Sequence, residues 1–344
     1  MRTLTLPRTL NALCATAVLL MGVAGCGGRQ TPAGTSESAA AGAAADCTVK
    51  TDTRISIATG NTTGVYYVVG NAFAEQVTKA TGNKVKATAA ETQASVGNIQ
   101  SLDKGDYQVA FSLFDTAADA VQGTGSFGKP VRIAALGRIY DNSTHVVVRA
   151  DAGINSIADM RGKRISTGSP KSGTEVIAQR LLKAAGLDPD KDIQPQRLDL
   201  AKTTDGMKAA TVDGFFWSGG LPTSGVTDLF TTAGDKVRFL DIDALLPKMR
   251  QVSPAYQAGT IPAATYRTAA DVKTIVVPNV LLVRSDMDAG LACVLTRTLV
   301  EKREELAKAN PAAKGITLET VRKTDPVPLH PGAAAALDTL GAAK

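Results

Sequence analysis

Strand patterns and helix patterns alternate along this chain, and no other feature constrains its fold as tightly. Residues 54–58 alternate in hydropathy as a strand, which Thr59-Gly60 ends. Val69, Ala72, Phe73, Val77 and Ala80 then recur at helical spacing until Gly82. Val96, Ile99 and Leu102 mark a second helix, followed by a strand at 107–113 and a short helix at 116–121. Strands are expected at 131–136 and 145–149, a helical turn at 157–160 and a strand at 164–167. Ile177, Leu181, Leu182 and Ala185 share one helical face, closed by Gly186. Then come a strand at 214–217, a helix opening at Pro222, a strand at 237–240, a strand at 275–284 broken by Pro278, and an amphipathic helix at 291–306. Such an order predicts α/β layers with mainly parallel sheets. In those sheets ligands bind beyond the carboxyl ends of strands, where loops enter helix N-termini.

The 344 residues are too many for one ordinary domain and suit two. With 44% hydrophobic and 20% charged residues, the chain is too apolar and too evenly charged to be disordered. Thirty-eight Lys plus Arg against 32 Asp plus Glu give +6, and setting aside Arg2 and Arg8 of the leader leaves +4. No run of Lys or Arg is dense enough to neutralise several phosphates, so nucleic acid is not an expected partner. Two histidines, His145 and His330, exclude a His-rich metal site.

Residues 1–25 read as a lipoprotein signal peptide. Arg2 and Arg8 form a positive start, and 10–23 is an uncharged apolar stretch. That stretch is shorter than the roughly 20 residues a membrane span needs. Val23-Ala24-Gly25-Cys26 is similar to the bacterial lipobox, which makes Cys26 the expected lipidation site. Residues 26–46 are Gly, Ala, Ser and Thr with almost no large side chains, and are expected to be a flexible tether. The body then starts near Cys47 and is expected to be extracytoplasmic, held to the cell membrane by lipid. Cys14 leaves with the leader. Cys47 and Cys293 remain, as a disulfide or as two buried thiols, and the oxidising compartment favours the disulfide.

Three motifs stand at strand ends. Thr59-Gly60-Asn61-Thr62-Thr63-Gly64-Val65-Tyr66-Tyr67 offers glycines for close backbone approach, a helix start for an anion and two tyrosines for a wall. Gly168-Ser169-Pro170-Lys171-Ser172-Gly173-Thr174 has the glycine spacing of a P-loop, but Thr174-Glu175 stands where Lys-Ser/Thr should follow. What remains is a polar helix start suited to a carboxylate or another small anion, or simple capping by Ser172. Phe215-Phe216-Trp217-Ser218-Gly219-Gly220-Leu221-Pro222 places the only Trp at a strand end beside a Gly pair. No Gly-x-Ser-x-Gly elbow, HExxH or paired-Cys motif is present, and no catalytic residue, metal or cofactor is expected.

These residues together resemble the TAXI family of solute receptors, which serve TRAP-type transporters. The resemblance runs from about Ile55 to the C-terminal region. It rests on Ile57-Ala58-Thr59-Gly60 with Gly64-Val65-Tyr66-Tyr67, on Asn98-Ile99-Gln100-Ser101-Leu102 leading into Gly105-Asp106, and on Ser172-Gly173-Thr174. It continues through Val212-Asp213-Gly214-Phe215-Phe216-Trp217 and ends with Pro328-Leu329-His330-Pro331-Gly332-Ala333. After Ala333 the family's Tyr-rich stretch is replaced by Ala335, Ala336 and Leu337.

The resemblance implies an α/β, two-lobed fold of the type II periplasmic-binding-protein kind with a ligand cleft between the lobes. Lobe 1 would be 47–145 plus 276–344 and lobe 2 would be 146–275, with chain crossings near 144–149 and 274–283. It implies binding of a small amino acid or carboxylate such as glutamate or glutamine, lobe closure by hinge motion, and docking on a TRAP-type permease. The ligand-binding residues carried over are Thr59, Gly60, Tyr66, Tyr67, Ser95, Asn98, Ser112, Asp115, Ser172, Gly173, Thr174, Trp217, Ser218 and Gly219. Arg138, at a strand end, is a candidate carboxylate partner. The same fold also serves ABC importers and sensors that present a ligand to a membrane kinase. A secreted hydrolase is the reading from a different class, and predicts turnover that Ser172→Ala abolishes. Nothing in the sequence demands an oligomer, and a monomer is expected.

Overall fold

The computed structural model describes residues 47–344. The signal peptide, Cys14, the lipidation site Cys26 and the tether lie outside the described residues. The first half of the chain runs β1 (Thr53–Ala58), α1 (Val65–Ala80), β2 (Val85–Ala90), α2 (Ser95–Lys104), β3 (Val109–Leu113), α3 (Phe114–Gln122) and β4 (Ile133–Arg149). The middle runs β5 (Arg164–Ser166), α4 (Gly173–Ala184), β6 (Gln194–Gln196), α5 (Leu200–Lys208), β7 (Gly214–Gly219), α6 (Ser224–Ala233) and β8 (Val237–Phe239). It closes with α7 (Leu246–Val252), β9 (Gln257–Ile261), α8 (Ala263–Tyr266), β10 (Val272–Arg284), α9 (Ala289–Glu301), α10 (Arg303–Ala309) and α11 (Pro331–Thr339).

The hydrogen-bonded path is β2-β1-β3-β10-β4-β7-β5-β6, with β8 on β4 and β9 on β10. β1, β2 and β3 are mutually parallel, as are β5, β6 and β7. Between these two triplets lie β10 and β4, long strands antiparallel to each other and to their outer neighbours. Two α/β halves are thus joined by two continuous strands; the α/β class expected from the alternating pattern is observed, but the sheet is mixed rather than mainly parallel, because β10 and β4 run antiparallel to every strand they pair with.

The strands at 131–136 and 145–149 are one strand of 17 residues. Its polar middle, Asn142, Ser143 and Thr144, is buried and stays extended because β10 and β7 pair with it from both sides. Pro278 does not break β10; it sits at a register shift between Pro278 and Val280, where a missing N–H is tolerated. The helix at 291–306 divides at Lys302 into α9 and α10, and α6 starts at Ser224 rather than Pro222. β2, β6, β9 and the helices α5, α7, α8 and α11 carry no strong periodic signal and were not expected.

The cores are unevenly divided. Ile57, Val69, Phe73 and Leu295 belong to a core of the β1–β3 half, between α1 and α9. Val147, Leu200, Phe215 and Val226 belong to a separate core of the β5–β7 half. On the other face one continuous core takes Ile99, Leu113 and Ala117 from the first half together with Ile165, Ile177 and Leu181 from the second. Cys47 is joined by a disulfide to the buried Cys293 of α9, across 246 residues of sequence and a Cα–Cα distance of 5.1 Å. That bond pins the first described residue to the β1–β3 half.

Candidate functional site

The loops that leave β1, β2 and β3 face the loops that leave β5 and β7, because both triplets point their carboxyl ends at the junction. A narrow cavity lies there. It measures about 440 Å³ with its mouth included. From the first half it is lined by Gly60, Asn61, Gly64, Val65, Tyr66, Gln93, Ala94, Ser95 and Leu113. Asn142, Ser172, Gly173, Thr174, Trp217, Ser218, Gly219 and Gly220 complete it. No residue of that lining carries a charged side chain.

Three helices begin at this cavity. α1 starts at Val65 behind Gly64, α2 at Ser95 behind Ala94, and α4 at Gly173 behind Ser172. Each presents N–H groups without intrahelical partners and the positive end of its dipole. Five of these amides are taken: Gly97 donates to Lys171 O and Glu175 to Ser172 Oγ, both at 3.0 Å, and the cap amides of Gly64, Ala94 and Ser172 donate to Asn61 O, Thr92 Oγ1 and Ser169 O. Ala94 has φ 66° and ψ −155°, and Lys171 has φ 63°, both unusual for residues with a side chain. Backbone strain on facing walls is a mark of functional sites.

The halves touch across the cavity. Asn61 donates to Ser169 Oγ at 3.4 Å and accepts from the Leu200 amide at 3.3 Å. Ser224 Oγ donates to Thr63 O at 2.8 Å. A Cβ on Gly173 would lie 2.5 Å from Leu113 Cδ1 and 2.7 Å from Ser95 Oγ, so only glycine allows this approach. The Trp217 ring lies over Gly64 in the same way, and its Nε1 donates to Thr223 Oγ1 at 3.3 Å.

Beneath the cavity a polar relay follows the strand junction. Tyr66 OH donates to Asn279 Oδ1 at 2.5 Å, and burial keeps its phenol well above the ordinary range. Asn279 Nδ2 donates to Tyr140 O and Asn142 Oδ1, both at 2.8 Å, and Asn142 Nδ2 donates to Ser218 O at 3.1 Å. Thr174 Oγ1 accepts from the Ser218 amide at 3.1 Å. The Ser218 hydroxyl itself is buried with no partner among the described residues.

Of the sequence-expected residues, Gly60, Tyr66, Ser95, Ser172, Gly173, Thr174, Trp217, Ser218 and Gly219 meet at this cavity. Thr59, Tyr67, Asn98, Ser112 and Asp115 do not line it. Thr59 Oγ1 donates to Ala90 O at 2.5 Å, locking β1 to the end of β2. Asn98 Nδ2 donates to Thr59 O and Phe111 O, both at 2.8 Å, which fully commits it to bracing strand ends. Ser112 Oγ donates to Leu113 O, and half-buried Tyr67 lies on α1 outside the lining. Asp115 is fully buried and accepts from Arg180 Nη1 at 2.7 Å and from Tyr256 OH. Arg138 pairs with Asp141 at 2.8 Å, beyond the cavity. The sequence reading does not reach Asn61, Gly64, Val65, Gln93, Ala94, Leu113, Asn142 or Gly220 as site residues; Asn61, Gly64, Val65 and Gly220 lie inside the motifs named above, but Asn142 sits in the polar middle of β4, where no sequence signal marks it.

Neither histidine lines the cavity. His145 Nδ1 faces Ser143 O at 3.0 Å, so it carries the proton, and Nε2 accepts from Tyr266 OH at 2.8 Å. Burial lowers its pKa to about 4, against partial compensation from those carbonyls. The unfolded chain, with a His pKa near 6.5, therefore binds more protons than the folded one between about pH 6.5 and 4. Stability falls as pH drops through that window, by about 3 kcal/mol in all. Denaturant midpoints at pH 7 and pH 4.5 check this. His145→Gln should flatten the difference, and an unchanged difference would assign the acid sensitivity to another group.

A family model described as the NMT1-like family matches residues 57–339. Among solved structures, a protein from Bordetella bronchiseptica RB50 is 19% identical, with 84% of this chain and 89% of that chain covered and a TM-score of 0.52. A binding protein component of an ABC phosphonate transporter from Pseudomonas aeruginosa is 14% identical, over 77% of this chain and 80% of that one, at a TM-score of 0.50. The periplasmic aliphatic sulphonate binding protein SsuA from Escherichia coli is 14% identical, over 83% and 78%, at 0.43. The halves, the two connecting strands and the cavity between them are those of the two-lobed periplasmic-binding-protein fold. By the extent of the family match, which takes in nearly all of the described body, this chain belongs to the NMT1-like family.

Proposed function

We propose that the chain is an extracytoplasmic receptor that binds a small polar solute and delivers it to a membrane importer. One observation carries the reading: a polar, uncharged cavity is walled by helix starts from both halves, which meet there through a few hydrogen bonds between loops. That geometry suits capture and release. Ser172 Oγ accepts from the Glu175 amide as a helix cap, and both histidines are engaged elsewhere, which weighs against a hydrolase. Between importer classes, the ABC reading stands ahead of the TRAP-type permease that the TAXI resemblance implies, since the neighbour at TM-score 0.50 is a binding protein component of an ABC transporter. We take the lobes as 47–145 plus 276–344 and 146–275, the body as a monomer, and Cys26 with 26–46 as its lipid anchor and tether. The tether would raise the receptor's concentration near its importer.

Native mass spectrometry of the full chain in a mixture of small metabolites tests the receptor reading. A retained solute that is released unchanged supports it; a solute converted during incubation supports the hydrolase instead. Cross-linking in the source cell separates importer classes, through capture of a permease with an ATPase subunit or of one without.

A further inference from the structure

The cavity's charge selects among solutes, and this inference rests on the receptor reading above. We propose that the solute is a small organic anion of single charge, a carboxylate or sulfonate, that carries no ammonium group.

The first argument is the sign of the wall. α1, α2 and α4 have 16, 10 and 12 residues, and all three begin at the cavity. Each helix start is equivalent to roughly half a positive charge. Their free amides converge from both lobes, so the field inside is positive with no cationic side chain in the lining. One negative charge matches it. A second would have no side chain to pair with.

The second argument is the unmade hydrogen bond. Ser218 is 7% exposed, lines the cavity, and has a hydroxyl with no partner among the described residues. Its amide and carbonyl are already bonded to Thr174 and Asn142. A buried hydroxyl left without a partner costs stability, so its retention on a cavity wall points to a solute oxygen as its acceptor.

The third argument is what an ammonium group would lack. An α-amino acid needs a negative partner for its nitrogen, and no Asp or Glu lines the cavity. Asp115, at the end of β3, is held by Arg180 and Tyr256 instead. An ammonium would also face three positive helix ends, and like charges in such a site are strongly unfavourable.

Matched pairs test this by titration calorimetry on the full chain at neutral pH and low salt. The pairs are propionate against alanine and ethanesulfonate against taurine, with phosphate as a more highly charged anion. The amine-free member of at least one pair should bind about tenfold tighter than its amine-bearing partner, and tighter than phosphate. Ser218→Ala should weaken that binding about tenfold without lowering the melting temperature of the unliganded protein. Equal or tighter binding of the amine-bearing member or of phosphate overturns the proposal, as does Ser218→Ala with unchanged affinity. If none of the five binds but the metabolite mixture yields a retained solute, this inference fails and the receptor reading stands. If that mixture also yields nothing, both fail.

Discussion

Gly173→Ala should weaken solute binding about 5- to 150-fold while leaving the protein folded. The added methyl would lie 2.5 Å from Leu113 Cδ1 and 2.7 Å from Ser95 Oγ, both on the opposite lobe. In an interior this overlap costs roughly 1–3 kcal/mol. If solute binding draws α4 against β3, the bound form bears this cost and a form with the cavity parted escapes it. The expected loss of affinity is about 5- to 150-fold. Gly173 opens α4, where alanine is a better helix former, so the melting temperature should hold or rise. Gly128→Ala, whose Cβ would meet nothing within 4 Å, is the control. Titration calorimetry measures the affinity, and small-angle scattering should show a larger radius of gyration for the variant. Wild-type affinity in Gly173→Ala would mean that the bound state does not bring α4 against β3.

Arg180→Met should be the most destabilising single change in the body. Arg180 on α4 reaches across to α3, with Nη1 2.7 Å from Asp115 and Nη2 2.6 Å from Asp119, and Tyr256 OH completes the cluster. Burial alone would lower the Arg180 pKa, and the facing Asp115, Tyr256 and Asp119 more than offset that and raise it. Burial raises the Asp119 pKa, the guanidinium offsets part of the rise, and the Asp115 carboxylate adds to it. Removing the cation leaves the fully buried Asp115 with no countercharge, which typically costs about 3–5 kcal/mol. The double change Arg180→Met with Asp115→Asn should recover part of the loss, since an amide tolerates burial where a carboxylate does not. Guanidinium unfolding measures both. A loss under about 1 kcal/mol for Arg180→Met would show that water or another group already compensates Asp115.

The legible parts of this fold are those with strong periodicity. α1, α2 and α4 came from apolar spacing, and β1 from an alternating run ended by Thr59-Gly60. β4 did not, because its middle carries Asp141, Asn142, Ser143 and Thr144. Polarity there reports the junction between lobes, where β10 and β7 satisfy those groups from both sides. The division at Lys302 was hidden because the apolar pattern continues through it. In the site, loop residues beside glycines were found: Gly60, Ser172, Gly173 and Gly219. Asn98 and Asp115 looked equally suited to a ligand. Their side chains had nearer partners, strand-end carbonyls for one and Arg180 for the other, and those partners are distant in sequence. A polar side chain at a strand end is therefore ambiguous until its competing partners are known.

The uneven division of the core has a consequence for how the molecule yields. On the face that carries α2, α3 and α4 the lobes share apolar packing and the Arg180 cluster. On the opposite face each lobe keeps its own core, and they meet through Ser224 to Thr63, Asn61 to both Ser169 and Leu200, and Asn310 to Pro222. Four such bonds, exchanged for bonds to water, are worth about 2–6 kcal/mol together. Parting the first face would expose buried carbon and strand a charge. Parting the second would ask little more than the wetting of three loops. The molecule therefore has a spine and a fore-edge, and a partner that drew α1 and α6 apart would work against the weaker of the two.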